Sequence, residues 1–105
     1  MSSPVGADKA LTFAFEEKVV EVKGKKFKLR ELTAEQYDEC IKAATGADDD
    51  IDMVVLLRLM LLQSLEDPKI EAEDLGKFPY SVVRQLTTAV NRLHFTDAVA
   101  SEGNG

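Results

Sequence analysis

The chain has 105 residues, 45% of them hydrophobic, a net charge of −6, one His (His94), one Cys (Cys40) and no Trp. That is length enough for a single domain with a real apolar core. It offers too little Cys and His for a disulfide framework, a Cys/His zinc site or a Cys–His catalytic pair. The acidic balance disfavours nucleic acid and anionic membranes, which carry the same sign.

Residues 1–9 are small and polar and read as a flexible N-terminus, without the charged-then-apolar layout of a signal peptide. A single domain follows over 10–95, and residues 96–105 read as a flexible tail. Within the domain, Leu11, Phe13 and Phe15 alternate over 10–15, which suits a short strand. Val20 and Val22, then Phe27 and Leu29, alternate on either side of Lys23-Gly24-Lys25. Gly24 supplies the positive φ of a tight turn, so residues 18–30 form a β-hairpin with one apolar and one charged face. This stretch holds six Lys and Arg against one Glu, and reads as a solvated edge whose lysines discourage strand addition. Its single aromatic, Phe27, alternates away from the lysines, whereas single-stranded nucleic acid is bound by exposed rings that stack on bases.

Leu32-Thr33-Ala-Glu-Gln36-Tyr37 is a helix start, with Thr33 as cap, Gln36 returning the bond and Leu32 stapled to Tyr37. Tyr37, Cys40, Ile41 and Ala44 form the apolar stripe and Gly46 ends the helix. Cys40 on that stripe is a small core residue rather than a nucleophile. Asp48, Asp49 and Asp50 place negative charge at the start of the next helix. Their spacing with Asp52 is not a calcium loop, because Met53 and Leu59 stand where such a loop needs Gly and Glu.

The next helix, 51–65, is apolar nearly all round and therefore the central element. Ile51, Val54, Val55, Leu61, Leu62 and Leu65 share a broad face that also contains Arg58, with Met53, Leu56, Leu57 and Met60 opposite. Arg58 snorkels, meets a buried acid, or marks a face left open for a partner or for self-association. The run Met53–Leu62 is far shorter than the roughly 20 residues of a membrane span. Glu66-Asp67-Pro68 ends this helix. Ala72–Leu75 makes one acidic turn closed by Gly76. Phe78-Pro79 opens a last helix to His94, with Val82, Val83, Leu86, Ala89, Val90 and Leu93 as its apolar stripe. His94 lies at its C-terminal end, where the dipole favours a cation. The fold class is α+β: an N-terminal β-hairpin, with room for one extra short strand, packed on a small helical bundle.

The run from Val20 to Gln36, with Arg30-Glu31-Leu32-Thr33-Ala34 at its end, resembles the start of tail assembly chaperones of long-tailed, lambda-type bacteriophages. In that family a short hairpin runs into an (R/S)-E-L-(S/T)-A helix start. The Leu-rich helix, the Leu65-Glu-Asp67 exit and Glu73-Asp74-Leu75 before a final helix fit as well, so the resemblance spans roughly 15–95. It implies a non-enzymatic protein of the host cytoplasm, without cofactor or metal and absent from the mature virion. Such a protein keeps the tape measure protein soluble and helps tail tube protein assemble around it. Many members also have a frameshifted longer form, for which a junction after Phe95 is suited. An amphipathic tape measure helix needs a complementary apolar surface with charged edges. The candidates here are Val54, Leu61 and Leu65 around Arg58, with Phe13 and Phe15 on the first strand, and Met53 and Met60 as adaptable packing. The alternative is a structural tail completion or connector protein.

Overall fold

The computed structural model describes residues 12–96. The expectations for residues 1–9, for Leu11 and for nearly all of the tail lie outside the described residues. The architecture is α+β: a three-stranded antiparallel sheet in the order β1-β2-β3, packed on helices.

Strands β1 (Glu17–Val22) and β2 (Lys25–Arg30) form the hairpin. Lys23 and Gly24 both have positive φ, 52° and 81°, as a two-residue type I′ loop requires. Glu31 N–H donates to the Glu16 carbonyl at 2.8 Å, extending the pairing by one step. Val22, Phe27 and Leu29 are buried on the inner face. The third strand is not the 10–15 segment. Residues 12–16 form no strand, and Phe15 instead lies under the Arg30 guanidinium, 3.9 Å from ring centroid to carbon. The free edge of β2 is taken by β3 (Leu65–Asp67), across a register shift at Lys28/Leu29.

Helix α1 (Ala34–Ala44) begins with the expected capping box: Gln36 N–H donates to Thr33 Oγ1, and Thr33 N–H to Gln36 Oε1, both at 3.0 Å. Cys40 and Ala44 are buried, and Tyr37 and Ile41 pack at the margin of the core. Helix α2 (Met53–Ser64) is capped by Asp52, whose Oδ1 accepts from Val54 and Val55 N–H at 3.0 and 3.2 Å. The aspartates at 48–50 instead belong to a tight loop closed by a Thr45–Ile51 bridge, with Asp49 at φ 66°.

α2 ends at Ser64, short of the expected position, because Leu65–Asp67 extends to pair with β2. Ser64, almost fully buried, satisfies its hydroxyl by donating to the Arg30 carbonyl at 2.5 Å. After the Asp67–Pro68 bond, which is cis, comes the short helix α3 (Ala72–Gly76) with its own Glu71/Asp74 capping box. Helix α4 (Tyr80–Asn91) buries Val82, Val83, Leu86, Ala89 and Val90, packs on α2 and β1, and widens into a single π turn, Arg92–Thr96.

His94 lies in that turn with both ring nitrogens engaged. Leu32 N–H donates to its Nε2 at 2.9 Å, and its Nδ1 lies 2.9 Å from the Val90 carbonyl. An amide can only donate and a carbonyl only accept, so a ring that satisfies both accepts at Nε2 and donates from Nδ1. It bonds the end of the last helix to the exit of the hairpin. Replacing His94 with Ala leaves a partly buried amide without its acceptor and should cost about 1–3 kcal/mol, read from urea unfolding.

Candidate partner-binding site

The core consists of Leu56, Met60, Leu61, Leu65, Leu86 and Val90 with the inner face of the sheet. Leu61 and Leu65 are therefore not part of an open face. Both have zero exposure, because the sheet and α4 close over the C-terminal half of α2. Met60 is equally buried, so of the two methionines only Met53 is at the surface. Val54 is 60% exposed, and Arg58 on the same face reaches solvent. Phe13 is 76% exposed, while Phe15 is largely engaged by Arg30.

The apolar surface left open thus gathers at the N-terminal turns of α2, where Ile51, Met53, Val54 and Val55 are exposed. Tyr80, at the first turn of α4 and 71% exposed, lies beside it. Sequence reasoning missed Tyr80, although it stands three residues before Val83 and so extends the α4 stripe past the end of the core. From Val55 a groove of about 380 Å³ runs between α2, α3 and α4, lined by Leu59, Leu62, Leu75, Phe78 and Val83, with Arg58 and Tyr80 at its sides. A smaller recess of about 110 Å³ shares Arg58, Tyr80 and Val83 and continues to Val54, Leu57 and Arg84. Among the described residues neither Arg58 nor Arg84 has an ion-pair partner, so both cations are available at the margin of an apolar channel.

Cys40 is 4% exposed, and burial, aided by the charge of Glu39, pushes its thiol up from the ordinary range. Its thiolate is disfavoured, which makes it a packing residue. Among the described residues no three His, Cys, Asp or Glu side chains converge as a metal would need, and no helix is long and apolar enough to cross a membrane. Compared with protein-family models, curated proteins and solved structures, the chain matches none.

Two expectations follow. Leu61→Asp buries a charge in the core and should abolish the cooperative thermal transition, whereas Val54→Asp should leave it within a few degrees of wild type. Cys40 should react with a thiol reagent at neutral pH only after denaturant is added, the folded protein staying unlabelled over the same interval.

Proposed function

We propose that the protein is a non-enzymatic tail assembly chaperone of a long-tailed bacteriophage, acting in the host cytoplasm and absent from the finished virion. It holds an amphipathic helical segment of the tape measure protein while tail tube protein assembles around it. The observation that supports this reading is the open apolar surface at the start of α2, continuous with the α2–α3–α4 groove and edged by Arg58. Such a groove suits the apolar stripe of a helix, with i, i+3, i+4 and i+7 side chains as anchors. An unpaired Arg at the margin favours a partner whose flanks carry carboxylates. The resemblance of residues 20–36 to the family supplies the identity of the partner. The competing reading is a tail completion or connector protein, which would travel with the particle.

The test is co-expression of the tagged protein with tape measure segments from the same phage. Wild type should keep the segment soluble and co-purify with it. A Val54→Asp/Tyr80→Ser variant that retains its thermal transition should lose it, by about tenfold or more in affinity, since two exposed apolar anchors are removed. Equal recovery by both proteins, or the protein in purified virions at structural stoichiometry, would sink the proposal.

A further inference from the structure

A second cavity lies on another side of α4. Between β1 and α4 is an open cleft of about 440 Å³ into which Lys18, Arg84 and Arg92 converge. The placement follows from local geometry. Period-two alternation puts Lys18 on the same side of β1 as Val20 and Val22, the side that packs on α4. Helical spacing puts Arg84, Thr88 and Arg92 in one row, each four residues from the next. The floor is apolar, made by Val20 and Ala89, and Gln85 and Thr88 add polar side chains at the wall.

Among the described residues no carboxylate lines this cleft, although the chain has nineteen Asp and Glu against thirteen Lys and Arg. Among the described residues none of its three cations has an ion-pair partner. Two cations of the sheet's outer face contrast with them: Lys28 is bridged by Glu17 and Glu66, and Arg30 by Glu66. Three uncompensated cations around an apolar floor repel one another, and that repulsion is relieved when an anion enters.

We propose that this cleft binds a short acidic segment of a partner polypeptide, two or three carboxylates taken by Lys18, Arg84 and Arg92 with an apolar side chain over Val20 and Ala89. The planar arginine fork matches a carboxylate bidentately, and the cleft is wider than a single small oxyanion requires. A nucleic-acid strand fits less well. Among the described residues no exposed aromatic lines the cleft for base stacking, and a long polyanion would have to continue over the acidic remainder of the surface. A short segment avoids that surface, because repulsion beyond about 8 Å is screened at physiological salt. The groove and the cleft share no residue, and the smaller recess beside the groove shares only Arg84 with the cleft, so Lys18 and Arg92 test this inference separately from the groove reading.

The experiment is fluorescence anisotropy of a labelled octa-glutamate peptide at low salt, against wild type, Arg84→Gln/Arg92→Gln, and Lys42→Gln/Lys69→Gln. The last pair changes net charge equally at exposed lysines outside the cleft. Saturable binding should weaken about tenfold in the arginine pair and stay within about twofold in the lysine pair. Lys18→Gln gives a second reading from the opposite wall, with an expected loss of about threefold. Thermal melts of all variants should match wild type, because the substituted side chains are exposed. No saturable binding, equal weakening in both pairs, or tighter binding of an oligothymidine of the same length each overturns the proposal. So does a wild-type oligomer that the arginine pair dissolves, which would make the occupant a second copy of this chain.

Discussion

Helix α2 is apolar on every side, and most of that surface has to be kept from water at once. One neighbour cannot do this. The sheet takes one side, through β2 and β3, and α1 and α4 take the others, so every other element is arranged around α2. The cover is complete over Leu56, Met60 and Leu61 and incomplete at the first turn, where Met53, Val54 and Val55 stay exposed behind the Asp52 cap. The composition that makes α2 the centre of the fold thus also leaves apolar side chains at its open end.

This geometry decides what the sequence could reveal. The hairpin and the Thr33–Gln36 capping box were legible because they depend on neighbours within a few residues. The exposed part of α2 was not. Val54 and Leu61 lie on the same helical face, seven residues apart, about 10 Å along the axis. One is open and the other fully buried because exposure on this face changes along the helix, and periodicity reports only the angle. The same limit hid β3. Leu65 continues the apolar pattern of α2, and only pairing with Leu29, distant in the chain, turns it into a strand. The role of His94 was hidden for a like reason, since its acceptor function depends on an amide elsewhere in the chain.

Electrostatically the basic residues divide into two populations. Those on the outer face of the sheet are partly neutralised: Lys28 and Arg30 share Glu66, and Arg30 also covers Phe15. These partly exposed pairs stabilise little individually, but they connect all three strands. Arg58, Arg84 and Arg92 lie on helix surfaces where, among the described residues, no acid pairs with them. The lysine-rich hairpin, the most conspicuous basic feature of the sequence, divides between the two: Lys28 and Arg30 are paired, whereas Lys18 faces the cleft beside α4. The scattered arginines gain their meaning only when α2, α4 and β1 bring them to the margins of the cavities.

The bond from Leu32 to His94 joins residues 62 positions apart. On the ribosome the hairpin and α1 emerge first, and the Leu32 amide must stay hydrated until the end of α4 follows. Because α4 also closes the core through Leu86 and Val90, α2 leaves the exit tunnel with an apolar side uncovered. A nascent chain stalled before α4 has emerged would present that side of α2 to whatever is nearby, so the rate of translation through the codons of α3 and α4 bears directly on how much of the product escapes aggregation.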